Sequence, residues 1–219
     1  MNDRIMTVTG VGKITAKPDL IVINMELEAK NKDYEKTMDL ALKQIETLRN
    51  SLVSIGYKKE ALKTTDFYVG SDYDHKYDEN RNMKKVFLGY KCRHNLKLDF
   101  DLDMDLLGKT LYAITSSKSS PFVEILFSIK DKAAIENDLL ENAVNNAKEK
   151  ALTLSKATGV TLGKINRIDY SWGEIKLFSN TEYDCSSEVV HKMSVSKNVE
   201  VEPDDIDVSD SVTVVWSIE

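Results

Sequence analysis

The sequence predicts an α+β protein, with antiparallel sheets against which two long helices and one short helix pack, arranged as two similar β-α-β halves. Three observations predict it. Segments whose apolar residues alternate recur along the chain. Between them lie stretches whose apolar residues fall at steps of three and four. With only 9 Gly and 3 Pro in 219 residues, the composition is that of a globular chain and neither disordered nor collagenous. This length suits one domain spanning 1–219, or two intertwined subdomains of about 1–102 and 103–219.

Taken in order, Ile5 to Thr15 reads as a strand, and Ile21, Ile23, Met25, Leu27 and Ala29 alternate as a second. Lys17-Pro18-Asp19 lies between them as a turn signal, so the two are expected to form an N-terminal hairpin. Met38, Ala41, Ile45, Leu48, Leu52 and Ile55 form one apolar stripe, with Asp33 as N-cap and Gly56 as the stop. A strand follows at about 60–70. From Val86 to Leu102 every even position is apolar or half-apolar and the odd ones are mainly charged or polar, which predicts one long strand with a single wet face. A shorter helix covers Asp103 to Thr115, and Val123, Ile125, Phe127 and Ile129 make the next strand. The third helix, Asp131 to Thr158, carries Leu139, Ala143, Ala147, Ala151 and Leu154, small side chains that let a helix lie close to a sheet, and Gly159 ends it. Strands at about 164–172 and at Val212, Val214, Trp216 and Ile218 complete the pattern. Two polar stretches, Ser71 to Lys84 and Ser179 to Asp205, read as long loops, which in a compact fold are uncommon unless functional, disordered or partner-binding.

Composition narrows the function. The 36 acidic against 30 basic residues leave a net charge of -6, the wrong sign for neutralising phosphates, so no nucleic-acid partner is expected. No window approaches the roughly 18 consecutive apolar residues of a spanning helix, so no transmembrane segment is expected. The opening MNDRIMTVTGVGK has no apolar core of signal-peptide length, and as written the chain is expected in the cytoplasm.

The motifs that imitate chemistry fail on inspection. Thr9-Gly10-Val11-Gly12 has the glycine pair of a phosphate loop, but a strand and then Pro18 follow where a helix should open, so a bulge or tight packing in an edge strand is expected. Asp72, Asp74 and Asp78, and again Asp99, Asp101, Asp103 and Asp105, imitate a calcium loop. Such a loop needs glycine at its sixth position and glutamate at its twelfth. These positions hold Tyr77 and Met83 in the first series and Met104 and Thr110 in the second. Cys92 and Cys185 belong to no CxxC pair, which argues against a disulfide framework or zinc site. His75, His94 and His191 are far apart; His94 shares a face with Cys92, but no third group is there to orient it as a base. Tyr68, Tyr73 and Tyr77 beside the first polar stretch, and Trp172, Phe178 and Tyr183 beside the second, are interface anchors or the rim of a core. No catalytic, cofactor-binding or metal-ligating residue is therefore assigned.

Ile5-Met6-Thr7-Val8-Thr9-Gly10-Val11-Gly12 followed by Lys17-Pro18-Asp19 resembles the opening of the SIMPL-domain family. Ala143-Val144-Asn145-Asn146-Ala147-Lys148-Glu149-Lys150-Ala151, then Gly159, Leu162-Gly163 and Ile165, is similar to the family's alanine-repeating helix and the glycine-bounded link beyond it. The resemblance spans nearly the whole chain. It implies an α+β fold, homo-oligomers in some bacterial members, and an association with the cell envelope and stress tolerance, without catalytic residues or cofactor. The envelope is thus the alternative location if an export leader has been trimmed. The expected function is that of a non-enzymatic, self-associating protein that assembles through strand edges and the long polar stretches. The alternatives are a small-molecule or peptide-binding module and a thiol-based redox sensor using Cys92 or Cys185.

Overall fold

The computed structural model describes residues 4–77, 83–170, 175–185 and 202–219. Its elements are β1 (Ile5–Ala16), β2 (Leu20–Asn31), α1 (Tyr34–Ser54), β3 (Lys63–Tyr77), β4 (Met83–Asp101), α2 (Met104–Ser116), β5 (Phe122–Ser128), α3 (Lys132–Thr158), β6 (Leu162–Tyr170), β7 (Phe178–Cys185) and β8 (Ile206–Ile218). The fold is α+β, with three helices and two antiparallel sheets, ordered β1-β8-β6 and β3-β4-β2-β5-β7.

Each helix starts where an aspartate caps it. Asp33 accepts from Lys36 N–H at 3.2 Å, Asp103 from Leu106 N–H at 2.9 Å and Asp131 from Ala134 N–H at 2.9 Å. At the far end of α3, Gly159 takes φ +70°, the left-handed conformation that glycine enters without a Cβ penalty.

The chain divides into two compact units. One comprises Met1–Asp19, Ser128–Asn180 and Pro203–Glu219; the other comprises Leu20–Phe127 and Thr181–Glu202. The second unit holds the larger apolar cluster. In it Ile21, Ile23, Met25 and Leu27 of β2 and Leu96 and Leu98 of β4 meet Ile45, Leu48 and Leu52 of α1 and Leu107, Leu111 and Ile114 of α2. In the first unit Val8 of β1 and Val212, Val214 and Trp216 of β8 meet Ala143, Ala147 and Ala151 of α3. Both units repeat one order of elements: strand, long helix, strand, strand. In β2-α1-β3-β4 and in β1-α3-β6-β8 alike, the last strand lies between the other two and is antiparallel to both.

The expected N-terminal hairpin does not form. β1 pairs with β8, Ile5 opposite Ser217, and β2 pairs with β4, Leu20 opposite Asp101. The Pro18-Asp19 link is instead held by the residues after β5. Asp19 N–H donates to Ser128 O at 3.0 Å, and Asp19 Oδ1 accepts from Lys130 N–H at 2.8 Å. Its local polar groups are satisfied without closing a turn.

Three further expectations are corrected. Ser71–Tyr77 is strand, the outer part of β3 paired with β4, and residues 179–185 belong to β7; 186–201 lie outside the described residues. Ser155, not Leu154, continues the inner stripe of α3, because the buried positions advance by four each time. The alternation of β4 holds from Cys92 to Leu98 and breaks at Leu88, an extra residue where the register with β3 shifts; Val86 and Leu88 are exposed.

Candidate interaction site

The outer part of the β3–β4 ribbon gathers the aromatic residues. Gly89 makes this geometry possible. It sits at φ +139°, and a Cβ there would approach Lys32 Cα to 2.9 Å, so a side chain is excluded on both counts. Beyond this bulge the parity of β4 inverts, and Phe87 joins Tyr90 on the side of the sheet that carries α1. Tyr90 meets Tyr34 at the start of α1 edge to face at 5.5 Å between centroids, Phe87 meets Tyr90 at 5.5 Å, and Tyr73 of β3 meets Phe87 at 5.5 Å. Lys85 Nζ lies 4.0 Å over the Tyr73 ring. Nearer the body of the sheet, Phe67 and Tyr68 are 47% and 51% exposed. Tyr68 lies over Gly70, its hydroxyl occupying the place a Gly70 side chain would take.

Three of these aromatics, Phe67, Tyr68 and Tyr73, lie on an edge strand. β3 ends the order of its sheet among the described residues. Thr65 is an extra residue on the β3 side, and Leu88 is the extra residue on the β4 side. From Asp66 to Tyr77, β3 therefore runs as a regular strand whose outer edge pairs with no described strand, a template for another strand. The β1 edge of the other sheet is treated differently from β3, while its opposite edge is β6, with Ile165 and Ile168 exposed. Over β1, Asn146 Oδ1 of α3 accepts from Val11 N–H at 3.0 Å, and Lys150 Nζ donates to Thr9 O at 3.1 Å. Side chains of the helix occupy backbone groups that a partner strand would need.

The glycine pair Gly10 and Gly12 serves that same helix. A Cβ on Gly10 would overlap the carbonyl of Ala143 and stand 2.7 Å from Ala147 Cβ; on Gly12 it would overlap the carbonyl of Leu139. The two glycines pack against backbone, and the phosphate-loop reading has no helix N-terminus to support it.

The remaining sequence candidates are dispersed. Asp72 faces Lys91 at 3.9 Å and Lys30 at 4.0 Å, Asp103 is the α2 cap, and Asp78 lies outside the described residues. No group of three metal-ligating side chains is found among the described residues. Cys92 is wholly buried, and burial pushes its thiol up, away from the reactive thiolate. His94 points to the same face but spends its Nε2 on Thr64 Oγ1 at 2.8 Å and sets its ring edge to face on Phe67 at 5.0 Å. Burial, then the charge of Arg49, lowers its pKa below the ordinary 6.5. His75 is exposed on β3; Cys185 and Tyr183 lie in β7, and Trp172 and His191 fall outside the described residues. Phe178 packs under Lys132 at 5.0 Å.

Sequence reasoning picked out Tyr68 and Tyr73 but missed the ribbon that carries them. The signal was there: Tyr73, His75 and Tyr77 alternate with Asp72, Asp74 and Lys76, the period of a strand within a polar composition.

A glycine-bearing strand under an alanine helix, repeated in topology by a second unit with a leucine-rich core, defines a two-unit α+β protein without a group of three metal-ligating side chains among the described residues. The chain belongs to the SIMPL family, described as "Protein of unknown function (DUF541)", whose profile matches residues 6–216. It is similar to the "26 kDa periplasmic immunogenic protein" of Brucella melitensis, 24% identical over 163 residues, or 74% of this chain and 65% of the relative. The protein of the same description in Brucella abortus matches at the same identity and coverage. The chain thus matches 65% of the length of these curated relatives.

Proposed function

We propose that this SIMPL protein is non-enzymatic and works by self-association through the free edge and aromatic surface of the β3–β4 ribbon. The observation that carries this reading is the contrast between two of the four edge strands, β3 and β1. α3 blocks β1 with Asn146 and Lys150, whereas β3 presents a regular edge flanked by exposed Phe67 and Tyr68. The name of the Brucella relatives supports a place in the cell envelope, and the family resemblance supports a part in stress tolerance. The deciding measurement is native mass by light scattering at low micromolar concentration. A multiple of 24.8 kDa is expected; a monomer at every concentration removes the proposal.

One observation favours a second reading, a binding module. On the face of the β2–β4 sheet away from α1, a groove of about 460 Å³ is lined by Asn24, Glu26, Thr65, Asn95, Phe122 and Glu124. Asn24 Nδ2 donates to Glu124 Oε2 at 2.6 Å, while Asn95 Oδ1 is buried without a hydrogen-bond partner among the described residues. Acceptors of this kind suit a small ligand rich in O–H or N–H donors. Saturable thermal stabilisation by a polyol or polyamine would support this reading, and Asn95→Leu should abolish that response.

A further inference from the structure

We propose that β3 pairs with β3 of a second copy of the chain, antiparallel and about a two-fold axis at Ser71, so that the two five-stranded sheets continue as one. This rests on the self-association proposed above and adds the pairing register.

The choice of β3 is that of the proposed function, and the register follows from charge. Two identical antiparallel strands related by a two-fold axis place each residue opposite one equally far beyond the axis. The facing side chains lie on the same side of the sheet, only about 5 Å apart. Like charges in these positions repel. Asp66, Asp72 and Asp74 lie on one face of β3, and they eliminate most registers. An axis at Val69 sets Asp66 against Asp72, and one at Gly70 sets Asp66 against Asp74. An axis at Asp72 sets Asp72 against itself, one at Tyr73 sets Asp72 against Asp74, and one at Asp74 sets Asp74 against itself. Among axes from Val69 to Asp74, Ser71 alone brings no two aspartates together.

That register is also attractive. It puts Asp66 opposite position 76, a lysine, twice across the axis. Val69 falls opposite Tyr73 and Phe67 opposite His75, the β-branched–aromatic and aromatic pairs that stabilise sheets. Gly70 falls opposite Asp72, leaving the Tyr68 ring its place over the glycine. The paired region lies wholly inside the regular run Asp66–Tyr77, so neither bulge disturbs it.

The test uses the full chain with Cys185→Ser and the buried Cys92 kept. A cysteine on the axis meets its own mate at a Cα separation within disulfide range. Under mild oxidation Ser71→Cys should give a covalent dimer and Asp72→Cys should not. Independently, Asp66→Lys or Lys76→Asp alone should raise the dissociation concentration by about tenfold, since two pairs change sign, and the double exchange should restore it. An assembly that persists while Ser71→Cys stays uncrosslinked, or while the double exchange remains as weak as the singles, overturns this pairing and leaves self-association standing. A monomeric native mass overturns both.

Discussion

Helix α3 in one unit and helix α1 in the other occupy the same place in the same order of elements, yet they reach their sheets by different means. α1 presents Ile45, Leu48 and Leu52 to Ile21, Ile23 and Met25, so large side chains hold the helix away from the strand and fill the space between. α3 presents Ala143, Ala147 and Ala151 to Gly10 and Gly12, so the backbones themselves come into contact. The difference shows that one topology admits two packing solutions with opposite weaknesses. A core of leucines is damaged by removing atoms, and a backbone contact by adding them.

The most damaging change should therefore be Gly10→Val. Its Cβ falls on the carbonyl of Ala143, which cannot move without unwinding α3, and the loss should exceed the roughly 3 kcal/mol of ordinary overpacking. Urea unfolding should show an early transition, or the protein should fail to fold. A variant as stable as the parent would break the comparison.

Next comes Leu48→Ala in α1, fully buried, which should cost about 2–5 kcal/mol through lost contacts and a residual cavity. A smaller effect than that of the equivalent deletion Ala147→Gly, for which about 1 kcal/mol of helix propensity is expected, would invert the contrast.

The two edges give a weaker test. Asn146→Ala removes the acceptor of Val11 N–H at an exposed site, and about 0.5–1.5 kcal/mol should be lost. Unblocking β1 should also raise the native mass, visible by light scattering. A mass unchanged on both counts would mean that the side chain does not guard the edge.

The smallest effect is a pH dependence confined to the leucine-core unit. His94 has its pKa lowered in the folded state by burial and then by Arg49, so the unfolded chain binds the proton more readily. The stability associated with neutral His94 is complete above the unfolded value near 6.5 and is lost as pH falls below it. His94→Asn should flatten the fall in melting temperature between about pH 7.5 and 5.5. An identical slope would remove this role for His94.

The helices and their ends were legible because their signals are local. Asp33, Asp103 and Asp131 each lie three residues from the N–H they cap, and Gly159 relieves a strain within one turn. Strand positions were legible for the same reason. The first strand's partner was not: Lys17-Pro18-Asp19 is a genuine turn signal, yet Ile5 pairs across the chain with Ser217. At the candidate site, Tyr68 and Tyr73 stood out by residue type, while the ribbon beneath them was hidden. Aspartates in Ser71–Tyr77 imitate a loop, and the Leu88 bulge takes Phe87 out of the even-numbered pattern that marked the rest of β4.

The sequence by itself determined the class of fold, the Asp33 cap and the stripe of alanines, because each depends on residues within a turn or on the period of one segment. Only the tertiary structure decided which strands pair and which edge a helix covers. Backbone hydrogen bonds are the same for any two strands, so partners are selected by the shapes and charges of surfaces that lie far apart in the chain.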